Sequence, residues 1–245
     1  MARGVLYLIP SPLGDSDPAE VIPGPVLERL KSIRKYVVEE TRTARRYLSA
    51  AGLKGHIGEL EFRELNEHTR PEEVESLLEM FSAPDGSPAD VGLISEAGLP
   101  AVADPGALLV EACHIHGIQV VPLVGPSSLM MALMASGLNG QSFAFRGYLP
   151  AKPEERRKAI REVEKDSARL HQTELFIETP YRNDSMMADL LATLQPSTRL
   201  CVAANITQPD EAILTRTVKE WRSASVTIGK RPCVFLILSK YVPTC

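Results

Sequence analysis

Four short segments of this chain combine residue types that bind ligands through backbone and small side chains. Residues 92–106 read GLISEAGLPAVADPG: an apolar run ends in small, polar and turn-forming residues, and Asp104-Pro105-Gly106 then opens the helical pattern ALLVEACHI. Asp104 ahead of Pro105 reads as a helix cap with proline at the first helical position. Capping does not explain why the rest of the loop is small and, Glu96 apart, uncharged. Residues 10–15, PSPLGD, carry two prolines that stiffen the loop and Gly14, which permits a close turn. Gly125-Pro126-Ser127-Ser128 precede a Met/Leu-rich helical pattern, and Glu178-Thr179-Pro180-Tyr181-Arg182-Asn183 follow an apolar strand. Neither GxGxxG nor GxxxxGK[ST] occurs, so no phosphate cradle of those types is built, and without a G-x-S-x-G elbow that hydrolase chemistry is excluded. His114 and His116 stand two apart in a helical pattern and do not share a face, so no metal is expected.

The elements that must position these loops alternate in period. Residues 5–9, 36–39, 61–65, 91–94 and 120–123 read as strands, with helical patterns at 20–32 (Leu27 and Leu30 inward), 44–51, 72–81 and 107–115. Strand runs apolar on both faces imply a parallel sheet covered by helices. The second half is less regular. Helical patterns at 126–136, 154–170 and 182–194 separate strands at 143–147, 174–177, 200–204, 212–217 and 233–239, the last two expected to pair antiparallel in a mixed sheet. The pattern changes at Val124-Gly125-Pro126, which places a domain boundary there: residues 1–123 and residues 124–245, both α/β. All four loops fall at strand ends, and the carboxyl ends of parallel strands share one edge. They outline a single cleft between the domains.

Composition sets the class. The chain is 44% hydrophobic and 24% charged with a net charge of −4, so no global basic field recruits nucleic acid. Local basic clusters remain at Arg42–Arg45–Arg46 and Arg156–Arg157–Lys158. No apolar stretch approaches the ~20 residues of a membrane span, and no signal peptide is expected ahead of the first strand. Cys113, Cys201, Cys233 and Cys245 show no paired spacing and read as thiols of a reducing cytoplasm. Residues 154–165, EERRKAIREVEK, read as a solvated helix with i,i+4 ion pairs, and Met130, Met131 and Met134 as core residues.

The loops, in this order, resemble those of the class III, tetrapyrrole methylase-like S-adenosylmethionine-dependent methyltransferases. Within them the chain is most similar to the RsmI-like branch, which methylates a ribose 2′-hydroxyl of small-subunit ribosomal RNA. YLIPSPLGD at 7–15 matches that branch's first strand and proline-rich loop, and EETRTARRYL at 39–48 its ED-TR-xTRKLL segment. SEAGLPAVADPG at 95–106 matches SDAGTPxISDPG, GPSSLMMALMASGL at 125–138 matches GPSAxxxALxxSGL, and GYLPAKPEERRK at 147–158 matches GFLPRKxxxRRK. ETPYR at 178–182 matches ESPHR. The chain departs at Glu40 and Glu96, where the branch has aspartate, and at Thr179 and Tyr181, which replace serine and histidine. It departs again at residues 66–70, where only the Glu67-His68 pair is kept, and at residues 203–208, which replace a charged segment.

The resemblance implies S-adenosylmethionine held by Pro12, Leu13, Gly14, Ser95, Glu96, Ala97, Gly98, Asp104, Pro105, Gly106, Gly125, Ser127, Ser128, Thr179, Pro180 and Tyr181. It implies RNA phosphates on Arg42, Arg45, Arg46 and Arg182, and a homodimer without a membrane. A ribose hydroxyl is a poor nucleophile and gains from a base; Glu40, Glu67 and His68 are the candidates. Two other functions fit the same residues. The first is methyl transfer to a tetrapyrrole or other small molecule, favoured by the acidic net charge. The second is S-adenosylmethionine binding without catalysis, for which the charges missing at residues 205–208 leave room.

Overall fold

The computed structural model describes residues 3–224 and 227–240. The chain divides into two units, Met1–Ser127 and Ser128–Cys245, each built on its own five-stranded sheet. In the first unit the strands are β1 (Leu6–Leu8), β2 (Lys35–Val38), β3 (Glu61–Glu64), β4 (Val91–Ile94) and β5 (Val120–Pro122). They pair in the order β3-β2-β4-β1-β5, every pair parallel. The helices between them are α1 (Pro18–Val21), α2 (Gly24–Leu30), α3 (Thr41–Leu48), α4 (Pro71–Ser76) and α5 (Gly106–Ile115).

Two helices differ from the sequence expectation. The pattern at 20–32 is cut into α1 and α2, because Pro23 has no N–H to give and pushes Ile22 to extended backbone (φ −107°, ψ 128°). The pattern at 72–81 begins as α4 and tightens into a 3₁₀ turn over Leu77–Phe81. Two apolar clusters cover the sheet's faces, one around Phe81, Leu93 and Leu109, the other around Ile9, Tyr36 and Leu48.

The second unit contains α6 (Ser128–Ser136), β6 (Phe143–Tyr148), α7 (Pro153–Leu170), β7 (Thr173–Ile177), α8 (Asn183–Thr193), β8 (Arg199–Ala204), β9 (Ala212–Thr217), α9 (Val218–Arg222) and β10 (Cys233–Leu238). Its sheet is mixed, in the order β6-β7-β10-β8-β9. β6 and β7 run parallel, and the other pairs are antiparallel. The expected pairing of the last two strands is therefore wrong: β10 lies between β7 and β8, and β9 pairs with β8 alone. The reason is burial. All six residues of β10 are buried, which suits a central strand, whereas β9 alternates with solvent and suits an edge.

Two further expectations are corrected by packing. On α6 the buried face is Leu129, Ala132, Leu133 and Ser136; Met134 is 80% exposed and Met130 is exposed too, so these methionines are not core. On α7, Arg156 is buried rather than solvated. Its Nε donates to Asp189 Oδ2 at 2.6 Å and its Nη2 to Ser185 Oγ at 2.8 Å, with Arg157 Nη1 3.2 Å from Asp189 Oδ1. Cys113, Cys201 and Cys233 are buried thiols; desolvation pushes Cys113 up to about 11 and Cys233 up to about 12. Cys245 lies outside the described residues.

The Arg156–Asp189 pair generates a test. Arg156→Ala leaves a buried carboxylate without its main partner, and breaking such a pair costs about 3–5 kcal/mol. Chemical denaturation is expected to show that loss. An Arg156→Leu/Asp189→Leu double variant, which removes both charges, is expected to recover most of it.

Candidate active site

The carboxyl ends of β1, β2, β4 and β5 share one edge of the parallel sheet, where α/β folds place ligands. Two backbone hydrogen bonds tie the loops after β1 and β4 together there. Ser11 N–H donates to the Gly98 carbonyl at 2.9 Å, and Gly98 N–H returns to the Ser11 carbonyl at 3.1 Å. The Ser11 hydroxyl adds a bond to the Ser95 carbonyl at 3.2 Å. Gly98 sits at φ +77°, a conformation open to glycine, and a Cβ there would stand 3.0 Å from the Leu13 side chain. Gly125, after β5, backs so closely on Pro10 that a Cβ would overlap the proline ring. Tyr47 of α3 closes the arrangement: it is buried, and its hydroxyl donates to the Pro10 carbonyl at 2.8 Å.

Beside these contacts lies an open cavity of about 270 Å³. Its walls include Pro12, Leu13 and Gly14 from the first loop, Ser95, Glu96 and Ala97 from the loop after β4, Thr43, Arg46 and Tyr47 from α3, and Ala50 just beyond its end. The first two groups are among the residues singled out in the sequence; of the α3 face only Arg46 is. Its signal was nonetheless present, because positions 43, 47 and 50 follow the helical spacing that stacks side chains on one face.

The charged residues at this edge have unequal roles. Glu40 caps α3: its carboxylate accepts from Arg42 N at 2.7 Å and from Thr43 N at 2.8 Å, with the Thr43 hydroxyl at 2.5 Å. These donors, the Thr43 hydroxyl foremost, hold its pKa below the ordinary carboxylate range, the opposite of what a base requires. Glu67 and His68 are each 85% exposed, with His68 Nε2 3.7 Å from Glu67 Oε1, and neither lines the cavity. Glu39, which the sequence did not single out, is half-buried, and its Oε2 accepts the backbone N–H of Glu96 at 3.1 Å. Its pKa is raised, first by desolvation and then by the charges of Asp104 and Glu67, against that N–H bond. Glu96 is raised too, by desolvation and by Glu39 and Glu40, while the Thr43 hydroxyl and Arg46 pull it down. Asp104 Oδ1 accepts Gly106 N–H at 2.7 Å, its Oδ2 is buried without a partner, and desolvation raises its pKa. Ser95 Oγ is likewise buried without a partner.

Arg42, Arg45 and Arg46 are exposed on α3, with Arg45 5.5 Å from the centre of the Phe62 ring. Among the described residues Arg42 and Arg46 form no ion pair. Arg182, in the second unit, is already engaged. Its Nε and Nη2 lie 2.9 and 2.6 Å from Glu178 Oε1, an oxygen that also accepts Thr179 N–H at 2.7 Å. Arg182 therefore locks its own loop, in which Pro180 opens a 3₁₀ turn and Tyr181 is exposed.

Residues 18–221 match the model of the Tetrapyrrole (Corrin/Porphyrin) Methylases. The chain belongs to the tetrapyrrole methylase family. Methyl transfer with S-adenosylmethionine as donor is that family's chemistry. The chain is 34% identical to ribosomal RNA small subunit methyltransferase I of Neisseria meningitidis serogroup A over 97% of its own length and 76% of the relative's. It is 32% identical to the enzyme of that name from Escherichia coli O157:H7, over 86% of this chain and 68% of the relative. Among solved structures, the methyltransferase CobJ has the same fold, with TM-score 0.63 at 19% identity over 96% of this chain and 94% of that one. So does the uroporphyrin-III C-methyltransferase of Thermus thermophilus complexed with S-adenosylhomocysteine, with TM-score 0.57 at 20% identity over 96% and 97%.

The loops of the first unit fit such a donor. Ser95 Oγ, at the cavity wall, and Asp104 Oδ2, further along the same loop and outside the cavity lining, are buried oxygens with capacity to spare, suited to hydroxyl or ammonium groups, and Gly98 lets backbone approach closely. The Tyr47 clasp can be tested directly. Tyr47→Phe leaves the Pro10 carbonyl without its donor and is expected to cost about 1–3 kcal/mol. Titration calorimetry is expected to show weaker S-adenosylmethionine binding, because the Pro12–Leu13–Gly14 wall loses its anchor.

Proposed function

We propose that this chain methylates small-subunit ribosomal RNA with S-adenosylmethionine as donor, at a ribose 2′-hydroxyl, and that the cavity of the first unit belongs to the active site. The observation that carries the reading is the match to ribosomal RNA methyltransferases over 97% and 86% of this chain, with the loops after β1 and β4 and α3 walling one cavity. The relatives' names favour RNA over the tetrapyrrole and non-catalytic alternatives.

The donor supplies an electrophilic methyl on a sulfonium; the protein supplies position. Holding the nucleophile in line with the methyl accounts for about 7–11 kcal/mol of barrier in well-oriented systems. In this reading Ser11, Gly98 and Tyr47 fix the donor-side walls, and Asp104 and Ser95 offer acceptors to the donor's polar groups. Arg42 and Arg46, exposed and outside any ion pair among the described residues, contact RNA phosphates. Arg45, stacked on Phe62, contributes less, and Arg182 acts through the order of its loop. Among the described residues no helix is long and apolar enough to cross a membrane. A cytoplasmic homodimer belongs to the same proposal, and sedimentation at twice the 26.8 kDa chain mass is its expected signature.

The test is transfer of a labelled methyl group from S-adenosylmethionine into small-subunit ribosomal particles, with deproteinised RNA and an RNA-free extract in parallel. Label is expected in ribosomal RNA, in a product that resists alkaline cleavage at the modified nucleotide; label only in the RNA-free extract overturns the reading. Arg42→Ala and Arg46→Ala are each expected to weaken RNA binding and to lower the slope of log affinity against log salt by about one. S-adenosylmethionine affinity is expected to stay near wild type in Arg42→Ala, whose side chain does not line the cavity.

A further inference from the structure

The candidate bases read from the sequence are poorly placed, and the structure supplies a different one. Glu40 spends both carboxylate oxygens on the start of α3, and Glu67 and His68 stand out in solvent and do not line the cavity. Glu96 alone among the carboxylates at this edge combines three features. It lines the cavity, beside Ser95 and across from Thr43 and Arg46. Its backbone is fixed by the 3.1 Å bond to Glu39 Oε2. Its loop is fixed again two residues on by the Ser11–Gly98 pair.

Resting on the methyl-transfer reading, we infer that Glu96 is the general base for the acceptor hydroxyl and that Glu39 is the positioning residue that holds and tunes it. The proton of the acceptor hydroxyl passes to the Glu96 carboxylate as the oxygen–methyl bond forms and the sulfur–methyl bond breaks. The products are the methyl ether, the neutral thioether of the spent donor, and protonated Glu96, which returns its proton to solvent. Glu96 is exposed at the cavity wall, so that return needs no internal relay.

Geometry and charge agree on this assignment. A base must be ionised at working pH yet hold a proton well enough to accept one, which favours a carboxylate whose pKa is raised. Glu39 and Glu40 crowd Glu96 with like charge, and desolvation acts in the same direction; the Thr43 hydroxyl and Arg46 oppose them. Glu39 is itself faced by Asp104 and Glu67. Because Glu39 holds the Glu96 N–H as a hydrogen-bond acceptor, Glu39→Gln can keep that bond through its amide oxygen while deleting the charge.

The experiment pairs a titration with kinetics. In donor-free protein carrying ¹³C-labelled glutamate carboxyls, the Glu96 resonance is expected to titrate above the ordinary glutamate midpoint, and Glu39→Gln is expected to move it downward. With donor and ribosomal particles, the acid limb of kcat is expected to follow Glu96. Loss of the Glu39 charge favours ionised Glu96, so in Glu39→Gln the limb moves to lower pH. Glu96→Gln is expected to lower kcat about 10²–10⁴-fold with S-adenosylmethionine affinity within twofold. Wild-type turnover in Glu96→Gln, or a limb and a resonance that ignore Glu39→Gln, overturns the inference. If the wild-type protein methylates no RNA at all, the functional reading fails instead, while the donor-free titration still decides the Glu39–Glu96 coupling.

Discussion

The pair of hydrogen bonds between Ser11 and Gly98 is an antiparallel bridge that joins the loops after β1 and β4 just beyond the parallel sheet, and the candidate site of the first unit depends on it. Without that bridge, two proline- and glycine-rich loops would leave the strand ends independently, each with many backbone conformations to lose on binding. With it, the loops leave as one joined wall. Gly98 is required because the joint needs φ +77° and lies against Leu13. Gly125 is required because the loop after β5 presses on Pro10, and Pro10 is in turn held by the Tyr47 hydroxyl. The cavity thereby gains a wall whose backbone is already fixed.

The electrostatics of that edge follow from strand geometry. Consecutive residues of a strand point to opposite sides, so Glu39 and Glu40, adjacent at the end of β2, part company. Glu40 turns to cap α3, where three donors stabilise its charge. Glu39 turns to the loop after β4, where burial and Asp104 oppose its charge. Two carboxylates with the same chemistry acquire opposite shifts from one peptide unit's difference in direction, and Glu96 inherits the consequence.

The second unit stabilises the loop after β7 differently, by neutralising charge internally. Glu178, buried at the end of β7, binds Arg182 and the backbone of Thr179. Asn183, fully buried at the start of α8, donates to the Gly229 and Arg231 carbonyls ahead of β10. Buried polar groups of this kind stabilise only while their partners are in place, and the same holds for Arg156 and Asp189 between α7 and α8.

By itself the sequence determined the two α/β sheets, the position of most strands within a residue or two, the family, and the loops after β1 and β4. Those are local properties: apolar runs of strand length, prolines and glycines that fix turns, and an ordered set of motifs. It did not determine strand neighbours in the second sheet, because pairing of β10 depends on which strand can be buried on both faces. Nor did it determine which of several like residues does what. Glu40 against Glu39, Arg182 against Arg42, and Met134 against Leu133 are alike in composition and local pattern. Tertiary structure separates them, since only the fold decides which carboxylate meets N–H donors, which guanidinium meets a carboxylate, and which face of a helix meets the sheet.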